Sequence, residues 1–331
     1  MPVATRPPLR RALSIAVQYS SLKDYNLDLP GTPNDPKILS ELLVEVYGYK
    51  KEDIIILLDD ETSGHGLPTR ENIERAMKEL VAGAQPGDHF VFHFSGHGAQ
   101  VPNEDGTEKS GFDDVIWPVD VQYYPTEGNF DNYIKDDEIH DVLVNHVPVG
   151  AHFMMVFDCC HSGTMADLPY DTEDCPPTPL TSTSSTMSIP SNVKNIRLRG
   201  SQDVSTEDST ERQTTQAAFT PAVPVSHSLD ENAPAVADVT AWSACEDSQE
   251  ALGSSKGGLF VNALARALRR NPKASHHELL SNVTHIARHE IAKITANINS
   301  RLPNAEQFET PTPELESLQS LRDVMASPLD I

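Results

Sequence analysis

The residues His152-Phe153-Met154-Met155-Val156-Phe157 are followed directly by Asp158-Cys159-Cys160-His161-Ser162-Gly163. The first six form a largely apolar run that is typical of a buried strand, so the two cysteines lie where a strand gives way to a loop. In α/β folds, the loops at the carboxyl ends of the strands form the crevice that holds the active site. The stretch therefore predicts a thiol in a cleft at one edge of a sheet.

A second strand ends in the same way. His89-Phe90-Val91-Phe92-His93-Phe94 runs into Ser95-Gly96-His97-Gly98, so one strand end carries an imidazole and the other a thiol. A cysteine nucleophile needs a nearby base and a site that binds an oxyanion, and a glycine lets backbone N–H groups approach a substrate carbonyl. One of the two adjacent cysteines, Cys159 or Cys160, and His97 are therefore the candidate nucleophile and base, although a buried cysteine can also be a small core residue.

The surrounding pattern alternates apolar strands with helices. Apolar strands are predicted at 12–17, 53–58 and 90–94, and helices at 35–46 and 70–81, the first starting at Asp35-Pro36 and the second capped by Thr69. This alternation predicts an α/β fold, a three-layer α/β/α sandwich with a mainly parallel central sheet. Later predictions are a short helix at 137–145, strands at 239–243 and 307–309, and helices at 259–270 and 275–300.

Composition limits the partners that the chain can have. The formal net charge is −24, which argues against nucleic acid or anionic membrane as a partner because phosphate binding requires clustered Lys and Arg. No apolar run approaches the roughly 20 residues that cross a bilayer. Four cysteines in 331 residues do not suggest a disulfide framework. We therefore expect no nucleic-acid or membrane partner and a reducing location, the cytoplasm or also the nucleus.

The chain divides into segments of different composition. Residues 1–11 read as a short disordered leader and 12–170 as the catalytic region. Of the 65 residues in 171–235, 27 are Ser, Thr or Pro, which predicts a disordered insertion. Residues 236–310 would complete the same domain, and no structure is assigned to the tail at 311–331.

The motifs Phe94-Ser95-Gly96-His97-Gly98 and Asp158-Cys159-Cys160-His161-Ser162-Gly163 resemble the two signature motifs of the type I metacaspases, peptidase family C14 of the caspase-like cysteine peptidases. The resemblance covers about residues 12–170 and 236–310. It implies a caspase-like sandwich fold and, because most members of the family are monomers, a monomeric protein. It extends to further motifs in the same order, which are Gly111-Phe112-Asp113-Asp114-Val115-Ile116-Trp117-Pro118-Val119-Asp120, Asp136-Asp137-Glu138, Asp167-Leu168-Pro169-Tyr170 and Ser243-Ala244-Cys245-Glu246-Asp247-Ser248-Gln249.

By this resemblance, Cys160 is the nucleophile and His97 is the general base and acid. The backbone N–H groups of Gly98 and Cys160 would form the oxyanion hole. Cys159 stands where the family usually has serine, and it remains an alternative nucleophile. A metal site is a further alternative for the cluster of His and Cys, but its spacing does not match a closed zinc site; the residues concerned are His93, His97, Cys159, Cys160 and His161.

The resemblance also implies cleavage of polypeptides after Arg or Lys and not after Asp. The residues that carry over to the first specificity pocket are Asp35, Ser95 and Asp158. Asp35 could equally be the N-cap of the first helix. The pocket cysteine of the family is replaced here by Thr32, so the shape of the pocket departs from the family pattern while its negative charge is kept.

Calcium activation is implied in the same way. The acidic residues that match the family's calcium ligands are Asp113, Asp136, Asp137 and Asp167. Hard cations prefer oxygen ligands, and Ca²⁺ bound at Asp167 could order the loop that carries the nucleophile, as an activating and not a catalytic ion. The alternative is that these acids are ordinary solvated surface.

Four basic residues of the insertion are candidate self-cleavage sites, because exposed flexible chain is the preferred substrate of proteases; they are Lys194, Arg197, Arg199 and Arg212. They could also be ordinary linker charges. Two other functions fit the motifs. One is a catalytically weak interaction or proteostasis factor with the same fold, and the other is a redox switch that uses the adjacent cysteines, whose geometry is poor for a disulfide.

Overall fold

A computed structural model describes residues 6–60, 64–104, 106–108, 110–160, 162–172, 196–198, 235–246, 249, 251–301 and 310–331. Its helices are α1 Asn34–Tyr47, α2 Arg70–Val81, α3 Asp136–Ile139, α4 Leu259–Arg270, α5 His276–Arg301 and α6 Leu321–Ala326. Its strands are β1 Arg10–Ala16, β2 Ile54–Leu58, β3 His89–Ser95, β4 Gly98–Pro102, β5 Phe112–Ile116, β6 Gln122–Tyr124, β7 Asn129–Asp131, β8 Ile134–Lys135, β9 His152–Asp158, β10 Tyr170–Asp171, β11 Ile196–Leu198, β12 Asp238–Ser243, β13 Leu252–Ser254, β14 Gly257–Gly258 and β15 Glu314–Ser317.

A seven-stranded sheet forms the centre of the molecule, in the order β10-β15-β12-β9-β3-β1-β2. The five strands from β12 to β2 are parallel, and β15 and β10 add an antiparallel edge. Apolar side chains on one face of the sheet pack with α2, and those on the other face pack with α1, α4 and α5. Strands buried on both faces explain the apolar runs in the sequence, and the predicted α/β/α sandwich is confirmed.

Strand register places the two signature motifs side by side. Ser95, the last residue of β3, is the partner of Asp158, the last residue of β9. His97 and Cys160 each follow these paired ends by two residues. The carboxyl edge of the sheet therefore brings the imidazole and thiol segments together, as the sequence predicts.

The ends of the sheet differ from the prediction. β1 begins at Arg10, and both Arg10 and Arg11 pair with β3, so these two residues belong to the sheet and not to a leader. Asp171 belongs to β10 and not to the insertion.

The predicted tail contains β15 and α6, and Ile331 is buried. The boundary at residue 310 was wrong because Glu314-Leu315-Glu316-Ser317 is short and acidic, and its burial depends on pairing with β12. The strand predicted at 307–309 lies outside the described residues. None of the described helices combines the length and the apolar composition that a bilayer-crossing segment requires.

Candidate active site

The imidazole of His97 is held by groups on both of its sides. The ring is buried, and its Nε2 lies 2.7 Å from the carbonyl oxygen of Leu27. A carbonyl can only accept, so Nε2 carries the proton and Nδ1 is left as the basic nitrogen. The Tyr19 ring packs at 4.6 Å between centroids, and its hydroxyl accepts a hydrogen bond from the backbone N–H of His97 at 3.0 Å. Both contacts restrict the imidazole to one orientation.

The thiol of Cys160 is buried and accepts a hydrogen bond from the backbone N–H of Ala251, with N to Sγ 2.9 Å apart. An N–H group directed at sulfur stabilises negative charge on that atom. A Cβ added to Gly98 would lie 2.0 Å from the carbonyl oxygen of Cys160. The backbones of the two predicted oxyanion residues therefore approach so closely that only glycine fits at position 98.

The two adjacent cysteines lie in different surroundings. Cys159 packs in the core on the α2 side of the sheet, whereas Cys160 packs in the core on the α4 side. Phe157 lies on the same side as Cys159 and Val156 on the same side as Cys160, so the two cysteines continue the alternation of side chains in β9. Cys159, Cys160 and Cys245 are all free thiols.

The three predicted pocket residues converge at the carboxyl edge of the sheet, and all are buried. Ser95 donates a hydrogen bond to Asp35 Oδ2, and Asp35 Oδ1 accepts one from the backbone N–H of Gly258 at 2.7 Å. Asp158 Oδ2 accepts a hydrogen bond from the N–H of Val261 at 3.1 Å, in the first turn of α4. A Cβ added to Gly258 would lie 1.8 Å from Asp158 Oδ2, so both buried carboxylates lie next to this glycine.

The N-cap alternative for Asp35 was wrong. The cap of α1 is Pro33, and the Asp35 carboxylate, in the first turn of the helix, accepts hydrogen bonds from Ser95 and Gly258. Thr32, at the position of the family's pocket cysteine, donates to the carbonyl oxygens of Val17 and Leu29 at 2.9 Å each. Its hydroxyl thus holds the loop that precedes α1.

The predicted calcium ligands also converge. Carboxylate oxygens of Asp113, Asp136 and Asp137 lie within 4.8 Å of one another, and a second group with the same spacing contains Asp137, Asp167 and Glu108. Ligand oxygens on opposite sides of a Ca²⁺ ion are about 5 Å apart. Carboxylates at this spacing fit a hard cation, and Asp137 belongs to both groups. Glu108 was not predicted.

Ion pairing and burial both affect the charge of this acidic cluster. The Lys135 ammonium forms an ion pair with Asp113 Oδ2, and this contact raises the pKa of Lys135. Burial raises the pKa of Asp136 to about 7, although the backbone N–H groups of Asp114 and Asp137 oppose the shift. Because a bound cation favours the ionised form of its ligands, the cluster would gain negative charge when a cation binds.

Comparison with known proteins identifies the family. Residues 10–169 match the family model described as metacaspase, peptidase C14 domain. The match includes both signature motifs and the acidic cluster. This chain belongs to the metacaspase family.

Several fungal metacaspases are similar to this chain over most of its length. Metacaspase-1A of Neurospora crassa is 36% identical over 83% of this chain and 59% of the relative, and Metacaspase-1 of Schizosaccharomyces pombe is 32% identical over 86% and 66%. The chain thus spans about three fifths of the length of these relatives. The crystal structure of caspase-1 from Spodoptera frugiperda has a TM-score of 0.50 at 13% identity, covering 96% of this chain and 93% of that one, which shows a shared fold.

In this metacaspase, the loop after Cys160 is held by two buried acids that the sequence did not single out as site residues. Asp114 accepts a hydrogen bond from the Thr164 hydroxyl at 2.6 Å. Glu316 of β15 accepts from the backbone N–H groups of Ala166 and Leu168 at 3.3 Å each. These contacts connect the loop that carries Asp167 to β5 and to the edge of the sheet.

The candidate self-cleavage residues are described only in part. Lys194, Arg199 and Arg212 lie outside the described residues, and Arg197 lies in β11, whose backbone pairs with β13. His161 also lies outside the described residues. The metal alternative that included His161 is not favoured, because His93 Nδ1 lies 2.8 Å from the Ser14 hydroxyl and Cys159 packs away from Cys160.

Proposed function

We propose that this chain is a cysteine endopeptidase that hydrolyses peptide bonds after Arg or Lys and that Ca²⁺ activates it. The proposal rests on a thiol that accepts an N–H hydrogen bond and on a histidine whose tautomer leaves Nδ1 basic, each two residues beyond the paired ends of β9 and β3. Two buried carboxylates complete this edge of the sheet.

The proposed reaction begins with proton transfer from the Cys160 thiol to His97 Nδ1. The thiolate attacks the carbonyl carbon of the substrate, and the backbone N–H groups of Gly98 and Cys160 stabilise the oxyanion. The C–N bond breaks as the protonated imidazole gives its proton to the leaving amine. Water then adds to the thioester, releasing the new carboxylate and the Cys160 thiol. The Leu27 carbonyl keeps the imidazole oriented throughout.

The negative charge around Gly258 supports the choice of a basic residue. A guanidinium or ammonium group would neutralise the buried Asp35 and Asp158, whereas a carboxylate would add a third negative charge to a water-poor pocket. Like charges in such a site are strongly disfavoured. The pocket therefore selects Arg or Lys and rejects Asp.

The acidic cluster supports a calcium site at Asp113, Asp136, Asp137 and Asp167, with Glu108 as an additional ligand. A bound Ca²⁺ would supply positive charge that offsets the repulsion between these carboxylates. Asp167 has φ +47° and lies in the loop after Cys160. Its attachment to Asp137 through an ion would fix that loop in the form that binds substrate.

The test is hydrolysis of two fluorogenic peptides that differ only in a terminal Arg or Asp, with Ca²⁺ and with a chelator. We expect calcium-dependent hydrolysis of the Arg peptide alone, its loss in Cys160→Ala and its retention in Cys159→Ala. Faster turnover of the Asp peptide would contradict the pocket, and full activity in chelator would contradict the ion. Absence of all hydrolysis would favour a binding factor with this fold.

A further inference from the structure

The end of β12 and the residue after it contact the chain on both sides of Cys160. The N–H of Ala244 donates to the carbonyl oxygen of Phe157 at 3.0 Å, which continues the pairing of β12 with β9. The hydroxyl of Ser243, the last residue of β12, donates to the carbonyl oxygen of Ser162. One short segment thus supplies hydrogen-bond donors to the backbone before and after the proposed nucleophile.

The next residue of this segment, Cys245, adds a side-chain contact. Its Sγ lies 3.6 Å from the carbonyl oxygen of Cys159 and 3.5 Å from that of Gln249, and both distances suit a hydrogen bond from S–H. The side chain is buried, and the thiol is free. A thiol is a weak donor, and its single proton can be given to only one of the two carbonyls at a time.

The first of these carbonyls belongs to the peptide group that contains the N–H of Cys160. That N–H is one of the two proposed donors of the oxyanion hole. A peptide group is planar, so a donor that fixes the direction of the Cys159 carbonyl also fixes the direction of the N–H on its opposite side. Hydrogen bonds in series also polarise one another, so donation from Cys245 strengthens the Cys160 N–H as a donor.

The second carbonyl belongs to the segment that contacts the sulfur of the nucleophile. Gln249 lies two residues before Ala251, whose N–H donates to Cys160 Sγ at 2.9 Å. The Cys245 thiol therefore contacts both the chain that carries the nucleophile and the chain that leads to the donor for its sulfur.

We propose that Cys245 is a positioning residue of the active site, whose thiol holds the Cys159–Cys160 peptide group with its N–H directed at the oxyanion. The inference rests on the proposed endopeptidase function and adds a residue to which that function gives no role. When the thiolate adds to the substrate carbonyl, the electron pair of the C=O bond moves to oxygen, and the directed N–H stabilises that charge. No bond to Cys245 forms or breaks.

Two reactions of Cys160 distinguish this role from general support of the fold. Hydrolysis of an Arg-ending peptide passes through an oxyanion. Alkylation by iodoacetamide displaces iodide from a CH₂ carbon and forms no oxyanion. A residue that only supports the fold or the thiolate affects both reactions, whereas a residue that directs the Cys160 N–H affects hydrolysis alone.

The experiment compares the full wild-type chain with Cys245→Ala in the presence of Ca²⁺. We expect kcat for the Arg-ending peptide to fall about tenfold, less than the roughly 100- to 1,000-fold that removal of an oxyanion donor costs. KM should change less than about twofold, because the lost interaction is made only in the transition state. The rate constant for alkylation of Cys160, followed by mass spectrometry, should stay close to the wild-type value.

Three further variants complete the test. Cys245→Ser keeps a donor at this position and should retain most of the wild-type kcat. Cys245→Val fills the space without a donor and takes the place of Cys245→Ala, with the same expected result, if the alanine variant does not fold. Val283→Ala is the matched control, because Val283 packs in the core on the α4 side that also contains Cys245. It should lower the melting temperature and leave the ratio of kcat to the alkylation rate unchanged.

Equal losses of hydrolysis and alkylation in the variants without a donor, or an unchanged kcat, would overturn the inference. The proposed function would stand in both cases, because the wild-type chain would still hydrolyse the Arg-ending peptide. If the wild-type chain does not hydrolyse that peptide, the inference and the proposed function both fail.

Discussion

At the scale of single residues, Asp158 combines a structural contact with a proposed role in binding. Its Oδ2 accepts a hydrogen bond from Val261 N–H in the first turn of α4, where a carboxylate also interacts favourably with the helix dipole. Its charge is also part of the proposed pocket. A substitution that keeps the oxygen and removes the charge separates the two roles.

Asp158→Asn should therefore lower kcat/KM for an Arg-ending peptide by about 100-fold, because removal of one partner of a buried charge pair costs about 2–5 kcal/mol. The melting temperature should change little, since the amide oxygen still accepts from Val261. Steady-state kinetics and a thermal melt measure the two effects. An unchanged kcat/KM would remove Asp158 from the pocket.

A second residue-scale prediction concerns the cation that already contacts the acidic cluster. The Lys135 ammonium pairs with Asp113, so Ca²⁺ must compete with it. Lys135→Met should raise calcium affinity about three- to tenfold, as expected for removal of one partly solvated like charge near the ion.

Isothermal titration calorimetry of the full chain with Ca²⁺ measures the change directly. Lys293→Met is the matched control, because Lys293 contacts Glu290 on α5, a helix without ligands in the cluster. Weaker calcium binding in Lys135→Met would mean that Lys135 supports the cluster and does not compete with the ion.

The sequence points to candidate site residues where several of them lie together in a short motif. Cys160, His97 and the acids of the cluster became candidates because their identities and their neighbours in the sequence are informative. Leu27, Ala251 and Tyr19 were not found, because Leu27 and Ala251 act through backbone atoms and Tyr19 comes from a distant segment. Side-chain identity carries no signal for a backbone contact, and no local pattern reports a contact with a residue far away in the chain.

At the scale of elements, the end of the β13–β14 hairpin packs directly against the pocket residue Asp158. A Cβ added to Gly258 would lie 1.8 Å from Asp158 Oδ2 and 2.5 Å from its Cγ. Gly258 has φ −66°, so the constraint is the close approach and not its backbone conformation. The carboxylate itself is held by α4, so it has little freedom to move away.

Gly258→Ala should therefore displace Asp158, abolish most hydrolysis of the Arg-ending peptide and lower the melting temperature by about 2–10 °C, as expected for overpacking by 1–3 kcal/mol. Gly66→Ala is the control, since its added Cβ would meet only the end of the Leu57 side chain at 3.2 Å. Activity close to wild type in Gly258→Ala would show that the hairpin can shift without affecting the pocket.

Elements with a strong local signal were predicted well. α2 and α4 have the predicted bounds, and Thr69 caps α2 by accepting a hydrogen bond from Asn72 N–H. α1 was predicted with the wrong cap, because Asp35 bonds to Gly258, which lies 223 residues away in the chain. β15 was missed for a similar reason: its burial comes from pairing with β12, and no local pattern reports that pairing.

At the scale of the whole molecule, the two ends of the parallel strands carry different groups. The carboxyl ends carry the candidate active site, and the amino ends carry two histidines and two aspartates. At the amino ends of β3 and β9, the rings of His89 and His152 stack with 4.9 Å between centroids. His152 Nδ1 lies 2.8 Å from Asp238 Oδ2, and this hydrogen bond raises the pKa of His152, whereas burial lowers the pKa of His89. Asp330 lies near both rings.

A raised pKa means that folding favours the protonated form of His152. Its contribution to stability is complete below the unfolded value, near 6.5, and is lost as pH rises through the higher folded value. Asp238→Asn should thus lower the melting temperature more at pH 5.5 than at pH 9, by about 1–3 °C for an ion pair of this exposure. Equal losses at the two pH values would show that the contact acts as a neutral hydrogen bond.

Cys160 is the proposed nucleophile, and the Arg or Lys side chain of the substrate is the proposed ligand of the acidic pocket. The most direct measurement is covalent trapping with a peptidyl chloromethyl ketone that ends in Arg, followed by mass spectrometry of the labelled peptide, with an Asp-ending reagent in parallel. We predict calcium-dependent alkylation of Cys160 by the Arg reagent and little reaction with the Asp reagent. Alkylation of Cys159, or faster labelling by the Asp reagent, would contradict it.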